Sequence, residues 1–594
     1  MVGSAERRLS EADRRDILDE LRRPLVERPE PDLFRLGLVL DGTVSAGAWT
    51  AGALDALFEV LDAWQAAKDA GEAVPRHRVV IEIAGGASGG AVCAALMMRA
   101  ARRKFPYGAT PGNPFFDLWV NALDARDMLV RDDLADSRRS VESILAAKAI
   151  ENAMAALLRW HGAGEVERPW IRDPFRVLMT LTNLRGVPYR LSLRPDANNN
   201  PRSTRFVSHA DHVTFVLGSK DPPKDQRKER KDSDRPRSDE FFIDARLPYA
   251  SNGWWTTLAR HARASGAFPV VFPAVTLSRP YAHYHWRAVM VPSARTADGA
   301  AGARVFEPAL LEPDWPADER LDQDYTYVAV DGGALNNSPF RLVHDRMAGL
   351  GGVLERDESK AQAAIVIISP LAAGAAAPAW TPPGDVISVG GRLIGALVAH
   401  GRYSASELLL ASRDDVASRH LFLPKRESSA RQDHEYWGED ALCGSGLEAF
   451  LGFLHPALRL HDFLLGRWNM RGWLRRHFTM PVNHPLVRDY FPPRKIEDYK
   501  GVQGVQIIPI VQHHLGHVQQ PPWPFDDPRD ARDLRHLSVL GGDLTPRLRR
   551  VLHRLGLGRL PIGGWLLSNG VADHIGAVAR ARIEAAIRSL EARR

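Results

Sequence analysis

The apolar run Val79-Val80-Ile81-Glu82-Ile83-Ala84 leads through Gly85 into Gly86-Ala87-Ser88-Gly89-Gly90. The small-residue stretch Ala91-Val92-Cys93-Ala94-Ala95-Leu96-Met97 follows at once. The order reads as strand, tight turn, helix, with a serine at the apex of the turn. Glycines allow the strained backbone that lifts a serine hydroxyl above a sheet, and they leave room for an approaching ester. The pentad by itself also fits a glycine turn with an incidental serine, because the chain carries 48 glycines and chance matches are common. The strand before it and the helix after it single out Ser88 as a candidate nucleophile.

Upstream, Leu36–Leu40 reads as a first strand, followed by Asp41-Gly42-Thr43-Val44-Ser45-Ala46-Gly47 and a helix over Ala48–Leu61. A short amphipathic helix precedes it: Ser10-Glu11-Ala12-Asp13 resembles a capping box, and Ile17, Leu18, Leu21 and Leu25 share one face. Downstream, Phe175–Asn183 and Tyr189–Leu193 read as paired strands around Arg185-Gly186-Val187-Pro188. The strand Tyr325–Val330 runs into Asp331-Gly332-Gly333, and Ala363–Ile368 is another buried strand. Beyond Gly390 the pattern turns mostly helical, over Arg392–Ser412, Leu442–Phe478 and Ala572–Arg593, with an isolated strand at Val505–Val511. The domains expected are an N-terminal helix and linker over 1–30, an α/β domain over 31–425 with a charged loop insertion at 219–240, and a mainly helical region over 426–594.

Composition narrows the function. Of the 594 residues, 45% are hydrophobic and 25% charged, which is ordinary for a folded globular chain. Two cysteines, Cys93 and Cys443, exclude a disulfide framework and a four-cysteine zinc site. Met1–Arg23 is charged throughout, so no Sec-type signal peptide is expected, and Ala363–Trp380 is too broken by Pro and Gly to span a membrane. The expected location is cytoplasmic or peripheral on the inner face of the membrane. A net charge of +6 without basic-aromatic patches gives no support to nucleic-acid binding.

A serine nucleophile needs a base. The order Ser88, Asp331, then His344 or His400 is formally open to a triad, but only two strand candidates precede Ser88. A direct Ser88–Asp331 pair is the other arrangement. The chain resembles the patatin-like phospholipases in four segments taken in order. They are the first glycine turn from Asp41, the pentad around Ser88, Ala262-Arg263-Ala264-Ser265-Gly266-Ala267-Phe268-Pro269-Val270-Val271-Phe272-Pro273, and Asp331-Gly332-Gly333.

That resemblance implies a three-layer α/β/α domain and a serine acyl hydrolase with Ser88 as nucleophile and Asp331 as base. It also implies an oxyanion hole from the backbone of Gly42, Thr43 and Val44, and neither metal nor cofactor. The implied substrate is a phospholipid or lysophospholipid met at a membrane surface; the oligomeric state is left open. The chain departs from the family's turn, G-x-G-x-[KR]-G, by placing Val44 at the middle glycine and Ala46 at the basic position. A lipid-binding member with little or no activity is the alternative this departure raises. His461-Asp462-Phe463-Leu464-Leu465-Gly466-Arg467 resembles a segment of longer bacterial members, with a structural role expected.

Overall fold

The computed structural model describes residues 9–136, 140–193, 202–219, 236–247, 253–296, 304–316, 319–371, 416–431, 433–555 and 564–594, with positions 389 and 413. The helix expected over Arg392–Ser412 and most of the charged loop, residues 220–235, lie outside them.

Helix α1 (Glu11–Arg22) starts as its capping box predicts: the Asp13 amide donates to the Ser10 hydroxyl at 3.1 Å, and the Ser10 amide donates to the Asp13 carboxylate at 3.2 Å. Strand β1 (Leu33–Leu40), helix α2 (Gly47–Asp69), strand β2 (Arg78–Gly86) and helix α3 (Gly89–Ala100) follow. Helix α2 outruns its expected end at Leu61 because it is buried nearly all round, out to Trp64 and Ala67. Glu82 sits mid-strand in β2 because Arg35 of β1 grips it with two nitrogens, at 2.9 and 2.8 Å.

Strand β3 (Ile171–Leu193) corrects the expected hairpin of Phe175–Asn183 and Tyr189–Leu193. It is one strand of 23 residues, and strand β4 (Arg202–Gly218) pairs with it on both sides of an irregularity between Thr182 and Val187. There Gly186 takes φ +74°, and its amide donates to the Asn183 side-chain oxygen at 3.0 Å. The Gly-Val-Pro signal makes a bulge instead of a reversal.

Strand β5 (Glu240–Asp244), helix α4 (Trp254–Ser265), strand β6 (Val275–Pro280), strand β7 (Asp324–Asp331), helix α5 (Phe340–Met347), strand β8 (Ala363–Ile368) and strand β9 (Arg419–Phe422) complete the sheet and its near layers. Strands β9, β8, β1, β2 and β3 lie side by side in parallel, and β4 pairs antiparallel with β3. Along β1, Leu36, Leu38 and Leu40 join the main core with α2 and α3, whereas Val39 packs with Val343 and Met347 of α5. The sheet is covered on both faces, which is the expected α/β/α sandwich.

The C-terminal helices differ from expectation in detail. The stretch Leu442–Phe478 is not one helix: Leu447, Glu448 and Ala449 adopt left-handed backbone, and a short turn (Leu451–Leu454) precedes helix α6 (Pro456–Arg476). Pro456 suits the first helical position, where no amide is needed. Of Val505–Val511 only Val505–Gln506 forms a strand, paired with Thr479–Met480, and Pro509 cannot donate to a ladder. Helix α7 (Gly564–Ala592) begins earlier than expected. Among the described residues no helix is long and apolar enough to cross a membrane.

Helix α6 lies directly on α2, and the His461–Arg467 segment is the seam. A Cβ on Gly52 would fall 1.9 Å from the Phe463 carbonyl oxygen, and one on Gly466 would fall 2.1 Å from that of Trp49. Around this backbone contact Arg467 pairs with Asp55 and Glu59, and the Trp49 indole donates to Asn469 at 2.9 Å. Gly52→Ala is therefore expected to lower stability by about 1–3 kcal/mol through overpacking, read as a fall in melting temperature.

Candidate active site

One edge of β3 brings the key residues together. Strand β2 runs parallel to β3 and ends with Gly86 opposite Met179. Strand β7 runs antiparallel to β3 and ends with Asp331 opposite Leu181. Residues of β3 that face β2 or β7 also face β4, so β4 occupies the other edge. The carboxyl ends of β2 and β7 thus approach each other along one edge of β3, from opposite directions. Ser88 and Asp331 emerge at the meeting point, and the Ser88 Oγ–H donates to Asp331 Oδ2 at 2.7 Å.

The local chain makes this contact possible. Ser88 caps α3 with φ +52° and ψ −128°, a strained backbone for a residue with a side chain. Its amide donates to the Ser265 hydroxyl at 3.0 Å, which ties the turn to α4. Beyond Asp331, a Cβ on Gly332 would lie 2.1 Å from the Thr180 carbonyl oxygen, so the chain passes over β3 only with glycine there. The Gly333 amide donates to Asp331 Oδ1 at 2.7 Å, and the Thr182 hydroxyl donates to the Asp331 carbonyl at 2.7 Å. Asp331 is only 3% exposed and has no cation among its hydrogen-bond partners. Burial pushes its carboxyl up to about 7, and the bonds from Ser88 and Gly333 offset that only in part.

The first glycine turn lies beside the serine. The Gly42 amide donates to the Asn337 carbonyl at 3.2 Å, and a Cβ at Gly42 would run into the Asn337 side chain. Gly42 is thereby a packing glycine with its donor engaged. The amides of Thr43 and Val44 have no hydrogen-bond partner among the described residues. Val44 carries φ +48°, which a β-branched residue adopts only under constraint.

A cavity of about 60 Å³ opens over Ser88 and Asp331, walled by Val44, Val92, Trp119, Met128, Phe268, Phe272, Phe450 and Phe453. A second cavity, of about 240 Å³ and almost wholly apolar, shares Met128, Phe450 and Phe453 with it and extends to Leu447 and to Ala579 and Ile583 of α7. Among the described residues no histidine lines either cavity. His344 sits in α5 against Phe340, and His400 lies outside the described residues. Among the described residues, two groups have the spacing to ligate a metal: the surface set Glu72, His513 and His514, and the buried set Cys443, His461 and Asp462. Neither set lines the cavity at Ser88.

Sequence reading missed four contributors. Ser265 lay within a noted motif but had no role, although its hydroxyl is what the Ser88 amide finds. Asn337 and the pair Phe450 and Phe453 gave no signal, since one acts through its backbone and the others look like any buried aromatics.

A model of the Patatin-like phospholipase family matches residues 38–344, the segment that runs from β1 through Ser88 and Asp331 into α5. An uncharacterized protein of Sinorhizobium fredii (strain NBRC 101917 / NGR234), y4iI, is 29% identical over 532 residues, covering 82% of this chain and 72% of its own. The similarity to that relative therefore extends well outside the family segment. With just over half of its length matched by the family model, the chain belongs to the patatin-like phospholipase family of lipid acyl hydrolases.

Proposed function

We propose that the protein hydrolyses acyl esters of phospholipids or lysophospholipids with a Ser88–Asp331 dyad. The observation that carries this reading is the 2.7 Å hydrogen bond from the Ser88 hydroxyl to a desolvated carboxylate. An ordinary aspartate, with a pKa near 4, is a poor base for an alcohol. Burial brings Asp331 to about 7, close to the range in which a general base is both ionised and effective. Ser88 Oγ attacks the ester carbonyl as its proton passes to Asp331, and the amides of Thr43 and Val44 are the free donors available for the oxyanion. The carbon–alkoxy bond then breaks, and the leaving oxygen takes the proton from Asp331. Water next attacks the acyl-enzyme, giving one proton to Asp331, which returns it to Ser88.

The apolar walls of both cavities suit acyl chains. A membrane surface is the natural source of such a substrate, and the family assignment supports a lipid ester over a soluble one. A binding member with little activity has one observation in its favour, the strained Val44 in the glycine turn. A fluorophosphonate probe separates the two readings: it should label wild-type protein and fail on Ser88→Ala. Absence of labelling on folded wild type would favour the binding member.

Asp331 sets the pH behaviour. The base must be ionised, so kcat/KM is expected to rise with pH, reach half its maximum near pH 7 and level off above. A profile flat from pH 5 to 9 would remove Asp331 from the role. The stability effect has the opposite sign. The folded-state pKa lies above the unfolded value, so this group's stability contribution is complete below about pH 4 and is lost as pH rises through about 7. Asp331→Asn should therefore abolish hydrolysis yet raise the melting temperature at pH 8, with the gain vanishing at pH 4.

A further inference from the structure

The backbone at Val44 poses a physical problem. A φ of +48° is a genuine outlier for a β-branched side chain and persists only where the surroundings impose it. On its N-terminal side the turn is held by the Gly42 amide on the Asn337 carbonyl. On its C-terminal side the hold comes from far along the chain. The Ser45 amide donates to the Ala449 carbonyl at 3.1 Å, and the Ser45 hydroxyl donates to the same oxygen at 2.5 Å, with the Gly444 carbonyl at 3.3 Å. These bonds pin the peptide that joins Val44 to Ser45.

The segment that supplies those carbonyls is itself strained. Leu447, Glu448 and Ala449 have φ of +56°, +55° and +68°, a turn of left-handed helix built without glycine. Each such residue is disfavoured against right-handed backbone by the close approach of its Cβ to the following carbonyl oxygen. Its base is fastened by Asp462 of α6: the carboxylate accepts the Cys443 amide through one oxygen and the Gly444 amide through the other, both at 2.8 Å. Asp462 is 1% exposed, which makes both bonds strong and their loss costly. The fit is close on the other side as well, since a Cβ on Gly452 would fall 2.5 Å from the Ser45 hydroxyl. Immediately after Ala449, Phe450 enters the wall of the cavity over Ser88.

We propose that Ser45 and Asp462 are positioning residues for the reaction at Ser88. Through the left-handed turn Leu447–Ala449 they hold Val44 in the backbone conformation from which its amide receives the oxyanion. The inference rests on the Ser88–Asp331 reading and adds a C-terminal brace to it. Two strained segments, some 400 residues apart in sequence, keep each other in place. Neither Ser45 nor Asp462 needs to touch the substrate.

The test uses the full chain carrying Ser45→Ala, Asp462→Asn, Val44→Gly, or Val44→Gly with Ser45→Ala. Each is assayed on a p-nitrophenyl acyl ester and for inhibition by a trifluoromethyl ketone of matching chain, which forms an anionic adduct with a serine nucleophile. Ser45→Ala and Asp462→Asn are expected to lower kcat about 10-fold or more, with KM within about 2-fold, and to weaken the ketone in parallel. Adding Val44→Gly to Ser45→Ala should restore part of the loss, because glycine takes a positive φ without help. A general packing defect would not be repaired that way. Ser45→Ala keeps the backbone bond to Ala449, so it remains informative if Asp462→Asn unfolds. Unchanged kcat and ketone affinity in folded Ser45→Ala overturns the proposal, as does a loss that Val44→Gly leaves intact. Hydrolysis surviving in Ser88→Ala would instead overturn the dyad itself.

Discussion

The arrangement at Ser88 depends on two strands sharing one edge of a third. Met179 and Leu181 of β3 are two residues apart, and they fix the ends of β2 and β7 against each other. Everything chemical follows from that spacing. Main-chain ladders place the strand ends, so the hydroxyl and the carboxylate meet without a side chain having to search for its partner. The same ladders explain why β3 has to run straight through its bulge. A reversal near Gly186 would leave β4 without the continuous partner that occupies the opposite edge.

Electrostatics then turns a contact into a usable one. A carboxylate beside a cation would stay ionised but would be too weak a base. Asp331 has instead been left with a hydroxyl, an amide and apolar walls. Its raised proton affinity is a cost to the fold and, on the proposed mechanism, a gain for proton transfer, the familiar trade at sites where stability is given up for reactivity. Two other buried carboxylates, Glu82 and Asp55, are paired with Arg35 and Arg467, where no proton has to move.

What could be read from the sequence was what chemistry writes into side chains. The elbow around Ser88 and the turn at Gly332 demand small residues where backbones touch, and small residues leave a pattern. The α/β/α layering was implied by the resemblance to the patatin-like phospholipases, and the strands and helices alternating around Ser88 agreed with it. Length and continuity were less legible: Gly186-Val187-Pro188 signals a turn and a bulge alike, and only pairing with β4 decides. The C-terminal brace left almost no trace, because its working atom is the main-chain oxygen of Ala449, and every residue has one. Asp462 stood inside a noted motif, yet its two backbone donors depend on where Cys443 and Gly444 come to rest.

The long reach from Ser45 to Ala449 also orders events in time. As the chain leaves the ribosome, Ser88 and Asp331 are both made well before residue 449 exists. During that interval the turn at Val44 has the Asn337 carbonyl but not that of Ala449, and the wall carrying Phe450 is missing. A nascent or prematurely ended chain thus carries Ser88 and Asp331 without this part of the frame around them. On the proposed reading, the complete site therefore exists only once the segment around Ala449 has been made.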